Sequence, residues 1–135
     1  MSDPSTRTSK VVAVINSNED TVELLRQCLE MNGFRQVVTA HVRDIREGAT
    51  DFLEFVSRTQ PAVFVYDISI PYDRNWRFLQ LLLNTEVMQG RRLVLTTTNK
   101  MALDAMVGPT EALEVIGKPY DIEQIVAAVA KALGV

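Results

Sequence analysis

Residues 61–67 read Pro-Ala-Val-Phe-Val-Tyr-Asp, "PAVFVYD". A proline opens the run, apolar and aromatic residues fill it, and an aspartate ends it. A short run with no polar alternation reads as a strand buried on both faces, not as one with a solvent side. Such a strand needs helices above and below it, and the rest of the chain supplies them. "KVVAVIN" (10–16) is a second run of the same character, and "FRQVVTA" (34–40), "RRLVLTTT" (91–98) and "ALEVIG" (112–117) are further strands. Between them lie helical patterns. In "SNEDTVELLRQCLEMNG" (17–33), Val22, Leu25, Cys28 and Leu29 fall at helical spacing, Asn18 is placed to cap the start and Gly33 to stop the end. "HVRDIREGATDFLEFVSRTQ" (41–60) begins as a loop and turns helical over the stripe Phe52, Phe55, Val56. "DRNWRFLQLLLNTEVM" (73–88) is a helix and "NKMALDAMVG" (99–108) a short one. "DIEQIVAAVAKAL" (121–133) puts Ile122, Ile125, Val126, Val129 and Leu133 on one face, with Asp121 as cap. Strands alternating with helices predict an α/β fold: a (βα)5 doubly wound, five-stranded parallel sheet covered on both faces.

A chain of 135 residues is one domain's worth, and 47% hydrophobic with 23% charged residues is an ordinary globular balance. A net charge of −3 and a pI near 5.1 argue against a nucleic-acid or membrane-surface partner. One cysteine, Cys28, cannot form an internal disulfide, which fits a reducing compartment. No apolar run approaches the roughly 18 residues of a membrane span. "MSDPSTRTSK" lacks the apolar core of a signal peptide. Residues 1–9 are expected to be a disordered polar tail, residues 10–135 the folded domain, and the cytoplasm its location.

Open parallel sheets place their sites at the carboxyl ends of the strands. Strand one ends in Asn16 and Ser17, strand three in Asp67, strand four in Thr96 to Thr98, and strand five in Lys118 and Pro119. One carboxylate, one hydroxyl and one ammonium would thus converge at one rim. A carboxylate can accept a phosphoryl group as an acyl phosphate. A hydroxyl can donate to a phosphoryl oxygen, and a lysine ammonium can neutralise its charge. Singly, each residue is an ordinary polar strand end. At the ends of three successive strands they form a pattern.

That pattern, over residues 10–133, resembles the receiver domain of two-component response regulators. "VYDISIP" is similar to the family's phosphoacceptor segment, with Asp67 at the aspartate position and Pro71 four residues later. Thr96 falls at the family's Thr/Ser position, and "GKPY" resembles its Lys-Pro signature. The spacings, 29 residues from Asp67 to Thr96 and 22 from Thr96 to Lys118, agree with the family within about a residue. The resemblance implies that Asp67 is the phosphoacceptor, that Thr96 and Lys118 contact the phosphoryl group, and that the Lys118–Pro119 peptide is cis. The implied partners are a histidine kinase or phosphotransfer protein, a separate output protein, and a second copy through the face made by the helix at 99–108, the strand at 112–117 and the helix at 121–133.

Two departures qualify it. Receivers normally end strand one with two adjacent acids that help bind Mg²⁺. Asn16 and Ser17 occupy those positions here, so the implied cation site of Asn16, Ser17, Asp67 and the Ser69 carbonyl is degraded and weak or absent Mg²⁺ binding is expected. A negatively charged phosphodonor would depend less on the metal for its approach, and would gain less activation from it. Glu19 and Asp20 stand in the first helical turn, where acids also suit the helix dipole. The family's aromatic switch residue, three positions before the lysine, is Val115 in this chain. Tyr120 follows the proline at a different position. The segment from His41 to Gly48 is a few residues longer than the family usual.

Other residues have plainer readings. Cys28 reads as a small buried side chain, His41 as a surface-loop histidine, and Trp76 as half-buried packing. Met101 and Met106 lie on the short helix of the partner face, and Ala127, Ala128 and Lys131 lie off the main apolar stripe of the last helix. The leading expectation is a non-enzymatic receiver, phosphorylated on Asp67 and signalling through surface contact. The alternative is a pseudo-receiver, an interaction module working without phosphate. A flavodoxin-like cofactor binder is remote, since "NSNED" contains no glycine with which to build a phosphate loop.

Overall fold

The computed structural model describes residues 8–107, 113–118 and 121–135. Five strands form one all-parallel sheet: β1 (Thr8–Asn16), β2 (Phe34–His41), β3 (Pro61–Ile68), β4 (Arg92–Thr97) and β5 (Leu113–Gly117), in the order β2-β1-β3-β4-β5. The six described helices are α1 (Glu19–Met31), α2 (Val42–Glu47), α3 (Phe52–Thr59), α4 (Tyr72–Leu83), α5 (Lys100–Val107) and α6 (Ile122–Leu133).

The sheet's alternation divides the core in two. Ala13, Ile15, Phe64, Tyr66, Leu93 and Leu95 face one layer, with Ile45 of α2, Phe52, Phe55 and Val56 of α3, Leu79 of α4 and Leu103 of α5. Val12, Val14, Val63, Val65 and Val94 face the other, against Leu25 and Leu29 of α1 and Ile125, Val126 and Val129 of α6. This is why β1 and β3 read as unbroken apolar runs. Each fully buried Val, Leu, Ile or Phe side chain contributes about 1.5–3 kcal/mol relative to exposure.

The helix boundaries follow local chemistry. The Asn18 side chain accepts from the Thr21 N–H at the start of α1, and Gly33 (φ 93°) turns the chain just past its end. The Gln124 side chain accepts the Asp121 N–H at the start of α6. The strand order reverses direction between β1 and β3, and that crevice, at the strands' carboxyl ends, holds the candidate site.

The structure differs from the expectations in several places. Strand β1 begins at Thr8, so residues 8 and 9 of the expected tail lie in the sheet; residues 1–7 are outside the described residues. The segment expected to be a loop after β2 is the helix α2, ended by Gly48 at φ 81°. His41 closes β2 and precedes α2, and is half-buried. The helix expected over 73–88 stops at Leu83, and a separate 3-10 turn covers Glu86–Met88. Cys28 is only half-buried. Ala128 is buried against the core, whereas Ala127 and Lys131 are exposed. The cis peptide expected at Lys118–Pro119, and Tyr120, lie outside the described residues; the cis bond among the described residues is Ile70–Pro71. Among the described residues no helix is long and apolar enough to cross a membrane.

Candidate functional site

Register builds the site. Asp67 of β3 pairs directly with Thr96 of β4, and Thr97 pairs with Gly117 of β5. One residue further, the Lys118 N–H donates to the Thr97 carbonyl at 2.6 Å, which carries the ladder up to the lysine. The side chains then meet. Thr96 Oγ1 donates to Asp67 Oδ1 at 2.6 Å, and Lys118 Nζ lies 2.7 Å from the same oxygen. The Asp67 side chain is 4% exposed and that of Lys118 28%. A buried carboxylate is costly unless paired and hydrogen-bonded, and here both conditions hold on Oδ1. Neither contact uses Oδ2.

Three expected residues therefore come together: Asp67, Thr96 and Lys118. The other members of the implied cation site are placed differently. Asn16 is buried at the end of β1, next to Ile15, which pairs with Tyr66. Its Oδ1 accepts the Asn18 N–H at 3.0 Å, so its oxygen is turned to its own chain and its remaining polar end is an NH₂ donor. Ser17 is exposed. The Ser69 carbonyl accepts from Asn75 Nδ2 at 2.8 Å. Glu19 and Asp20 are exposed in the first turn of α1. Among the described residues no group of three His, Cys, Asp or Glu side chains is placed to hold a metal. Mg²⁺ takes oxygen ligands in near-ideal octahedral geometry. This donor set offers one carboxylate already paired to a lysine, an amide oxygen in use and a carbonyl in use, and so it fits such a cation poorly.

Two residues of the site's surroundings were not singled out in the sequence. Asn75 is buried on the inner face of α4, one helical turn before Leu79, and its Oδ1 accepts from Arg46 Nη2 at 2.5 Å. The Arg46 guanidinium also lies over the Phe78 ring, 4.9 Å from its centroid. The available signal was a polar residue on the apolar face of a helix. Tyr72 Oη and Thr98 Oγ1 share a hydrogen bond of 2.6 Å that joins the start of α4 to the residue after β4. Val115 is half-buried against the core.

No family model matches the chain, and no curated protein matches it. Solved structures do. A signal receiver domain of a two-component histidine kinase from Clostridium thermocellum superposes with a TM-score of 0.75 at 15% identity, over 95% of this chain and 100% of that one. A sensor protein from Polaromonas gives 0.73 at 18% identity, over 94% and 98%. A chemotaxis response regulator from Vibrio cholerae gives 0.68 at 19% identity, over 93% and 99%. The fold is that of the response-regulator receiver domain, as the resemblance in sequence implied.

Proposed function

We propose that this chain is a receiver in two-component signalling, in which Asp67 accepts a phosphoryl group and the domain acts on a separate partner by surface contact. The observation that supports this best is the convergence of Thr96 and Lys118 on one oxygen of a buried aspartate at the end of β3. A sheet fold alone does not call for a buried acid, since an apolar residue would fill the position at less cost.

The chemistry would run as follows. Asp67 Oδ2, outside both contacts, attacks the phosphorus of a phosphohistidine on a histidine kinase or phosphotransfer protein. The new P–O bond forms as the P–N bond breaks, and the imidazole leaves, taking a proton from solvent. Lys118 and Thr96, released from Oδ1 as the carboxylate becomes an acyl phosphate, turn to phosphoryl oxygens. The Asn16 NH₂ adds a donor suited to an anion. With no acid pair, the site carries one carboxylate and one ammonium, so a phosphate dianion meets less repulsion on approach. A divalent cation would supply charge neutralisation, but the donor set suits one poorly, so the Lys118 ammonium and the Thr96 and Asn16 donors would neutralise most of the phosphoryl charge. The domain is then a recipient, not an enzyme, and works in the cytoplasm.

The partner would meet the face of α5, β5 and α6. A groove there is lined by Lys100, Val115, Gly117, Gln124, Ala127 and Lys131, with Met101 84% exposed beside it. The same face would serve a second copy of the chain.

A second reading is a phosphate-independent interaction module. The engaged oxygens of Asn16 and Ser69, and the aliphatic Val115, favour it. The two readings part on one test: incubate the protein with a phosphohistidine-bearing phosphotransfer protein, then treat with hydroxylamine, which cleaves acyl phosphates and spares phosphoesters. A hydroxylamine-labile phosphoryl group on Asp67 supports the relay. A protein that never carries one is the interaction module.

A further inference from the structure

The expectation for residues 41–48 was a longer connection with no function attached. The structure makes it a helix with a purpose-suited contact. Val42 and Ile45 are buried and fasten α2 to the core, and Gly48 ends it. That fixes Arg46, 29 residues before Asn75 in the chain, beside α4. The guanidinium stacks on Phe78 and donates to Asn75 Oδ1, which orients the Asn75 amide. The amide's other end donates to the Ser69 carbonyl. Three elements are therefore tied in series: α2, α4 and the loop that follows Asp67.

The carbonyl at the end of this series is the one that the family resemblance assigns to a cation site at Asp67. We infer that Arg46 and Asn75 are positioning residues that engage the Ser69 carbonyl and so oppose cation binding at the Asp67 site. This rests on reading Asp67 as the centre of that site. The physical argument has two parts. A carbonyl oxygen shared between an N–H donor and a cation brings the donor's positive hydrogen close to the metal. Mg²⁺ and Mn²⁺ also require oxygens at about 2.0–2.2 Å in near-octahedral directions, and a carbonyl held by a helix side chain has less freedom to adjust to them. The cation site is thus closed twice, once by the loss of the acids at Asn16 and Ser17 and once by the tie from α2. The tie also gives the polar Asn75 a reason to stand on the buried face of α4. A buried amide there is tolerable only with both ends bonded.

The test uses Mn²⁺ as probe, read by calorimetry and by the loss of its free-ion electron-spin-resonance signal. The background variant carries Asn16→Asp with Ser17→Asp, which restores the acids. On that background Asn75→Ala and Asn75→Leu remove the donor, the leucine keeping much of the shape in case alanine fails to fold. Arg46→Met removes the guanidinium but keeps a stem over Phe78, and Arg46→Lys keeps the charge without the fork. Either Asn75 variant should bind Mn²⁺ at least threefold more tightly than the background, with Arg46→Met between them. Arg46→Lys should fall nearer the background if charge matters more than the bond. A merely structural role would lower the melting temperature without tightening Mn²⁺ binding. Unchanged or weaker binding in both Asn75 variants overturns the inference. Absence of Mn²⁺ binding in the background and all its derivatives overturns the reading of the Asp67 centre, and this inference with it.

Discussion

At Asp67, two donors share one oxygen, and each can be removed without changing the shape of the site. Thr96→Val keeps the branched side chain and deletes the hydroxyl, leaving a buried carboxylate one donor short. It should destabilise the fold by about 1–3 kcal/mol in urea unfolding. Lys118→Met removes the ion pair. Water reaches part of Lys118, so its cost should fall below the ~3–5 kcal/mol of a wholly buried broken pair. Asn16→Asp with Ser17→Asp should raise Mg²⁺ affinity about tenfold or more, measured by calorimetry; no gain would mean that the acids are not what the site lacks. Tyr66 supplies a pH signature. Burial pushes its phenol above the ordinary range, Arg46 opposes the shift and Asp67 adds to it. Because the folded value lies above the unfolded one, the contribution is intact below the unfolded pKa of about 10 and is lost as pH rises beyond it. The unfolded chain ionises first, so stability should fall by up to about 1.4 kcal/mol per pH unit there. Tyr66→Phe should remove that part of the alkaline loss.

Among elements, α5 rests on one buried side chain among its described residues. Leu103 is fully buried, while Met101 is 84% and Met106 37% exposed. Leu103→Ala should cost about 2–5 kcal/mol and speed amide exchange in residues 100–107 more than in α1. The beginning of α5 also presses on β5, since a Cβ added at Gly117 would lie 3.1 Å from Lys100 Cβ. How readable each element was depended on its length and periodicity. β1 and β3 were plain because burial on both faces leaves only apolar residues. α6 was plain because its stripe recurs over three turns and its start carries a cap. α2 was missed because six residues show only Val42 and Ile45 of any stripe, too little to separate from a loop. The end of α4 was overrun because "NTEVM" continues the helical composition while the backbone tightens into a 3-10 turn. Asp67, Thr96 and Lys118 were legible because strand ends are countable. Asn75 showed only as a polar residue on an apolar helix face, and its pairing with Arg46 was not legible, because a contact across 29 residues leaves no local pattern.

For the molecule as a whole, the doubly wound sheet gathers the ends of β1, β3, β4 and β5 at one rim and leaves a groove on the α5–β5–α6 face. The fold is shared with receivers at 14–19% identity, so it survives wide change in sequence, whereas the chemistry rests on a handful of side chains. The central claim is that Asp67 still works as a phosphoacceptor although the acid pair is gone. Its most direct test is intact mass after incubation with a small-molecule phosphodonor, with and without millimolar Mg²⁺, beside an Asp67→Asn control. The account predicts a single phosphoryl adduct that is absent in the control and only weakly dependent on Mg²⁺. An adduct that persists in the control, or none under any condition including a phosphohistidine-bearing donor, would contradict it and leave a phosphate-independent module in its place.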